Sequence, residues 1–141
     1  MSLRWRGPSA RDFIDELTRS TTETRRRSKS VMRQKAKKIL EASQEGAPID
    51  EGNLEAAHEL AITRLSKDNL EVEITVGGVV NDRDVDEYAW IMHETDYNLG
   101  PRSEAKARSV SREVGPKFLE RAVDDHEDEL VEAVADTLPG D

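Results

Sequence analysis

The clearest pattern of hydrophobic and polar positions in this chain lies near its C-terminus, over residues 114–138. Apolar side chains recur there at spacings of mostly one, three and four, which is typical of an amphipathic helix with one buried face. Gly115 and Pro116 precede the pattern, and Pro139 follows it. Because proline at the first helical turn loses no intrahelical hydrogen bond, the sequence predicts a helix that begins there. Its apolar stripe comprises Phe118, Leu119, Ala122, Val123, His126, Leu130, Val131, Val134 and Leu138.

A second long helix is predicted near the N-terminus. From Ala10 to about Ala42 the chain contains neither proline nor glycine, Ser9 is a suitable N-cap, and Gly46 is a stop signal. Residues 18–30 are all polar, so we expect this middle part to stay out of the core. The helix either breaks near residues 21–22 or, in the favoured interpretation, continues and projects basic side chains away from the body. These side chains are Arg25, Arg26, Arg27, Lys29 and Arg33.

The central part of the chain predicts a mixture of short elements. Apolar residues at helical spacing over 54–65 indicate a second helix, and strict alternation over 70–76 indicates a strand. Gly77 and Gly78 suggest a bulge or a hairpin turn into the next two valines. Residues 85–93 fit either a strand or a short helix capped by Asp86, and the helix is favoured.

Residues 94–114 are long, polar and poor in side chains suited to burial, with one turn at Gly100 and Pro101. Such a segment in a small domain is usually functional or ordered by a partner. We therefore expect a subunit-contact loop, with Tyr97 and Arg102 among its contact residues.

Together these patterns predict a single α+β domain over residues 1–141. Residues 1–9 form an exposed N-terminal tail, and residues 10–138 contain a long N-terminal helix, a short second helix, a small antiparallel β-hairpin or sheet, and the C-terminal amphipathic helix packed on it. With only two Trp, two Tyr and two Phe, the core must be mostly small and aliphatic. The expected core anchors are Phe118, Leu119, Leu130, Val72, Ile74, Tyr88 and Trp90.

The charge of the chain is divided unequally along its length. The net charge is −9, yet residues 1–38 contain twelve Lys or Arg against four Asp or Glu, and the remainder contains nine against twenty-six. A basic arm on an acidic body suits head-to-tail stacking of like or unlike subunits, or a nucleic-acid contact. A solvated helix face is the third interpretation.

The sequence offers little support for catalysis. There is no cysteine, so disulfides and thiolate metal sites are excluded. His58, His93 and His126 lack the pairing at four residues that marks a metal-binding helix, and His58 is interpreted as a structural histidine. Glu94 follows His93 directly, but adjacent residues on a helix point in different directions. We therefore expect no enzyme, no metal and no cofactor.

The chain also lacks the apolar run of a membrane span and the hydrophobic core of a signal peptide. We expect a protein that acts where it is made, or in something assembled there, without a membrane partner.

Three short segments occur in the order and spacing of a known family. They are APIDEGNLEAA over 47–57, EYAWIMHE over 87–94 and VGPKFLERAV over 114–123. Over about residues 10–138 the chain resembles the neck or tail-completion (head-tail joining) proteins of long-tailed phages and proviruses, the gene-product-ten-like family of HK-type lambdoid phages.

The resemblance implies a structural protein of the virion, located in the neck or tail and assembled in the host cytoplasm. It implies a homo-oligomeric ring, commonly of six subunits, at the head-tail junction between portal and tail tube. The implied partners are the adjacent connector or stopper, the tail-terminator or tail-tube proteins, and DNA passing through the lumen. A nucleic-acid-binding module that uses the basic N-terminal helix is the alternative function.

Overall fold

The computed structural model describes residues 2–4, 22–49, 52–66 and 69–137. Within these ranges it confirms the α+β class, with five helices, a three-stranded antiparallel sheet and a two-stranded hairpin. The helices are α1 (Thr22–Gly46), α2 (Asn53–Ala56), α3 (Asp86–Glu94), α4 (Pro101–Ser109) and α5 (Phe118–Ala135), and the strands are β1 (Ser2–Arg4), β2 (His58–Ser66), β3 (Asn69–Val76), β4 (Val79–Val80) and β5 (Arg83–Asp84).

The strand predicted from alternation over 70–76 is confirmed as β3, the central strand of the sheet. It pairs antiparallel with β1 on one side and with β2 on the other. Its side chains Val72, Ile74 and Val76 are buried in the core. The backbone of Ser2–Arg4 is paired with β3, whereas the sequence predicted an exposed tail there.

The helix predicted over 54–65 is wrong beyond its first turn. Only Asn53–Ala56 is helical, and the chain then continues as β2, with Leu60 paired to Ile74. Leu60 is half-buried while Glu59 and Ala61 are exposed, so this part of the strand alternates with period two. Pairing with β3 satisfies its backbone groups, and this tertiary interaction overrides the helical spacing of the apolar residues.

The hairpin predicted at Gly77 and Gly78 is displaced along the chain. β3 pairs with β1 and β2, and the tight turn instead joins β4 to β5 through Asn81 and Asp82. Their φ angles of 51° and 62° are those of the turns that match the twist of a two-residue hairpin. Gly77 has φ 152° and redirects the chain out of the sheet.

α1 and α5 form an antiparallel helix pair that shares one hydrophobic core with β3. α1 ends at Gly46 as predicted. The expectation that residues 18–30 stay out of the core is wrong within the described part, because Thr24 and Ser28 are buried. Their side chains are small enough for close helix packing, and the Ser28 hydroxyl forms a hydrogen bond with the Thr137 hydroxyl. Residues 10–21 lie outside the described ranges.

The core anchors are confirmed with one exception. Five of them are buried, and Tyr88 is half-buried against the core. Trp90 is wrong as an anchor, because 57% of it is exposed. Ala89 and His93, four residues apart, form the buried face of α3, and Trp90 lies about 100° further around the helix. The five buried anchors are Phe118, Leu119, Leu130, Val72 and Ile74.

Candidate functional site

The first residue of α5, Phe118, is the centre around which several distant parts of the chain meet. Its side chain is completely buried. The ring centroid lies 5.9 Å from that of His58 at the start of β2 and 4.9 Å from that of His93 near the end of α3, the latter edge-on. Phe118 therefore connects α5, β2 and α3 at one point.

Backbone hydrogen bonds fix the segment that leads into Phe118. The Gly115 N–H donates to the Gly46 carbonyl over 3.0 Å, and the Lys117 N–H donates to the His93 carbonyl over 2.8 Å. A side chain at Gly46 would meet the Glu113 carbonyl oxygen at 3.3 Å, so this close crossing favours glycine.

The three segments that carry the family resemblance, 47–57, 87–94 and 114–123, all adjoin this point. We call the arrangement the three-segment junction. Each segment belongs to a different part of the chain, and each supplies or adjoins a residue in contact with Phe118 or its entry backbone. No local pattern along the chain indicated that the three segments would meet.

His58 is a structural histidine, as expected. Its Nδ1–H donates to the Leu54 carbonyl over 2.9 Å, so Nε2, 2.7 Å from Ser43 Oγ, accepts from that hydroxyl. Burial of the ring lowers the pKa of His58, because the charged form is poorly solvated.

We expect His58 to stay neutral, with its proton on Nδ1, down to a pH below its ordinary pKa of about 6.5. A histidine whose pKa is lower in the folded than in the unfolded state contributes stability that is fully present above the unfolded pKa. This contribution is lost as the pH falls from the unfolded pKa to the folded pKa. Nitrogen-resolved NMR titration checks the tautomer and the midpoint. A midpoint above 6.5 contradicts the prediction.

Another junction contact was discounted from the sequence but is present. His93 Nδ1 lies 2.9 Å from Glu94 Oε1, because Glu94 is the last residue of α3 and its side chain turns back. The same carboxylate forms an ion pair with Lys117. The Lys117 ammonium, followed by His93, lowers the pKa of Glu94. The contacts of Glu94 with His93 and Lys117 connect α3 to the start of α5. His93 Nε2 is buried without a hydrogen-bond partner among the described residues.

The segment expected to be a subunit-contact loop contains the helix α4, which is docked on the body by polar side chains. Lys106 Nζ donates to the carbonyls of Gln44 and Ala47, at 2.6 and 2.7 Å, and forms an ion pair with Glu55. Ser103 Oγ hydrogen-bonds both the N–H and the carbonyl of Ile49. Sequence reasoning missed this docking because it looked for apolar residues.

The two contact residues proposed for this segment differ in their surroundings. Tyr97 is half-buried, and its hydroxyl donates to the Met92 carbonyl over 2.8 Å. Burial raises the pKa of Tyr97 to about 12. Its polar atom is therefore already engaged within the chain. Arg102 lies in the first turn of α4 and is exposed.

α1 carries an exposed row of basic side chains, which we call the basic stripe. It consists of Arg26, Lys29, Arg33 and Lys37, at spacings of three, four and four. At 100° per residue, these spacings place the row along one flank of α1, centred about 130° from the middle of the buried face. None of the four forms an ion pair with a carboxylate of the described residues. Arg27 is also exposed, and the Arg25 side chain lies outside the described part.

The neighbouring lysines of α1 behave differently. Lys35 and Lys38 bind Glu129 of α5, with Nζ to Oε1 distances of 2.7 and 3.2 Å. The two ammonium groups lower the pKa of Glu129 to about 2. These pairs lie at the α1–α5 seam, so they leave the basic stripe as the charged surface that faces away from it.

α5 carries an opposite row on its own outer face, which we call the acidic ladder. It consists of Glu120, Asp124, Asp128 and Glu132, each four residues after the last, and all are exposed. Among the described residues, only Glu120 has a cation within ion-pair distance, Lys117 at 3.8 Å. Like charges at this spacing repel and weaken a helix, so the ladder is unfavourable for the isolated chain.

The described residues present three large exposed hydrophobic side chains, Val79, Trp90 and Ile91. The same part of the chain contains no group of three or more His, Cys, Asp or Glu placed to hold a metal ion. No helix within it is both long and apolar enough to cross a bilayer. Comparison of the chain with protein-family models, with curated proteins and with solved structures finds no match.

Proposed function

We propose that this chain is a non-enzymatic structural protein of the virion, which forms a ring in the neck of a long-tailed phage and joins the portal or connector to the tail tube. The observation that carries the proposal is the three-segment junction. Three short segments resemble the same family, and each contains or directly adjoins a residue in contact with the buried Phe118 or with the backbone that leads into it. This supports treating them as parts of one unit of structure instead of three unrelated short resemblances.

The basic stripe supports an assembly role. Its four cations are exposed on an acidic protein and have no carboxylate partner among the described residues. A row of exposed charges orients two proteins as they approach each other and raises their rate of association. The stripe therefore suits an acidic surface on a neighbouring subunit or ring.

Reversal of Arg26 and Arg33 to glutamate, in the phage genome that encodes the chain, is expected to block tail joining. Like charges would then face each other across the contact, so lysates should contain filled heads and free tails. Electron microscopy of lysates and plaque counts measure the outcome. Arg108→Glu, an exposed reversal on α4, is the matched control. A normal yield of joined virions from the double variant contradicts the proposal.

Nucleic-acid binding is the second candidate, and the basic stripe is the observation that favours it. The stripe spans about 17 Å, at about 1.5 Å per residue, and would follow a phosphate backbone without reading sequence. Binding of the purified chain to duplex DNA would then weaken with salt, by about 0.9 units of logarithmic slope per phosphate contact. The surrounding acidic body opposes this interpretation, because it repels DNA everywhere else.

A further inference from the structure

The basic stripe and the acidic ladder are matched in length and opposite in charge. The stripe covers twelve residues of α1 and the ladder thirteen residues of α5, about 17 and 18 Å from the first residue to the last. All eight side chains are exposed, and both rows have almost no opposite charge within reach among the described residues. Each row is therefore a surface that a partner of opposite charge would complete.

Geometry prevents the two rows from completing each other within one chain. α1 and α5 pack antiparallel through their buried faces, as the Ser28–Thr137 and Lys35–Glu129 contacts show. The stripe is centred about 155° around α1 from Ser28 and Lys35, which contact α5, and the ladder is centred opposite the buried face of α5. The two charged rows therefore point away from the helix pair in opposite directions.

We infer that the basic stripe of one copy lies along the acidic ladder of the next copy. The two contact surfaces are different, so the interface is heterologous and generates a ring where the rotation closes and an open chain where it does not. Charge complementarity identifies a second copy as the occupant: the helix α1 has eight Lys or Arg against three Glu, and α5 has seven Asp or Glu against one Arg. The contact between copies is inferred from the two charged rows alone, and the inference rests on the proposed function only where it assigns this contact to the ring.

The interface also accounts for the arrangement of the ladder. Four carboxylates at spacings of four repel each other in the isolated helix, and a row of cations laid along them removes that repulsion. The seam lysines cannot do so, because Lys35 and Lys38 are held by Glu129 on the other face of α5.

The test uses the full chain and two complementary variants. In the first, Arg26, Lys29, Arg33 and Lys37 are all replaced by glutamate, which reverses the stripe; in the second, Glu120, Asp124, Asp128 and Glu132 are all replaced by lysine, which reverses the ladder. Sedimentation velocity at low and moderate salt measures assembly of each. The wild-type chain should associate and should dissociate as salt is added, and each variant alone should associate more than about tenfold more weakly.

Mixing the two variants gives the decisive result. The reversed stripe of one fits the reversed ladder of the other, and the two unchanged surfaces also fit each other, so an equimolar mixture should assemble by strict alternation. Arg108→Glu and Glu87→Lys, exposed charge reversals outside both rows, should assemble like wild type. Circular dichroism of each variant establishes that the helices are intact.

Two outcomes overturn the inference. One is a mixture of folded variants that stays monomeric. The other is a wild-type chain that stays monomeric, including the case in which it binds DNA and the stripe reversal abolishes that binding. Neither outcome tests where the protein is located in the virion. Antibody labelling of virions tests the location: label found away from the neck would contradict the proposed function, and the result on self-association would still hold.

Discussion

Replacement of Phe118 by alanine is expected to lower the free energy of unfolding by about 3–5 kcal/mol, which is the range for truncation of a fully buried aromatic side chain. The side chain is completely buried, and its ring packs against both His58 and His93. The cavity would open where α5, β2 and α3 meet, so no single element can move to fill it. Urea denaturation of the variant and the wild type measures the difference.

Trp90→Ala is the matched control for this prediction. Both residues are aromatic and both were expected to be core anchors, but 57% of Trp90 is exposed. Its removal should cost about 1 kcal/mol or less. Equal losses in the two variants would contradict the position of Phe118 as the centre of the junction.

Replacement of Lys106 by methionine is expected to cost about 2–3 kcal/mol. The side chain is 11% exposed, and its ammonium group satisfies two carbonyls at the end of α1 together with the Glu55 carboxylate. Methionine keeps the length of the side chain but removes the ammonium donor that these three acceptors share. Partial exposure of Glu55 keeps the cost below that of a fully buried pair. Thermal and urea denaturation measure it.

Arg108→Met provides the control on the same helix, because Arg108 is exposed and should tolerate the change within about 0.5 kcal/mol. A double-mutant cycle with Glu55→Gln separates the ion pair from the carbonyl contacts. A loss in Lys106→Met no larger than in Arg108→Met would show that α4 is not docked through this lysine.

Local patterns in the sequence were sufficient for the elements whose burial is set within one segment. Alternation identified β3, and glycine placed the end of α1 at Gly46. The apolar stripe of α5 correctly included the buried Phe118, Leu119 and Leu130. For β3 and α5 the periodicity of the apolar residues matches the face that the element buries.

The elements that sequence reasoning missed depend on contacts between distant segments. β2 reads as a helix by its spacing, and only its pairing with β3 makes it a strand. α4 is held by Lys106 and Ser103, polar residues that carry no hydrophobic pattern. Trp90 is a large, mostly apolar side chain of the kind expected in a core, but the smaller Ala89 occupies the buried position.

The candidate surfaces were predicted only in part. The sequence identified Arg26, Lys29 and Arg33 as projecting cations, and the structure describes them as exposed. Lys37 was not included, although it continues the same row. The regular spacing of the acidic residues of α5 became meaningful only when the structure placed them on the face that points away from α1.

The α1–α5 seam differs in character at its two ends. Near Phe118 it is closed by an aromatic ring, whereas near Ser28 it is closed by hydroxyl groups, with Thr24 and Thr137 beside them. Small polar side chains bury little apolar surface, so separation of the two helices costs less there than at the aromatic end. Transient fraying should therefore start at the hydroxyl end. Arg26 and Lys29 lie at that end, so their positions can adjust to an approaching surface while the packing around Phe118 stays closed.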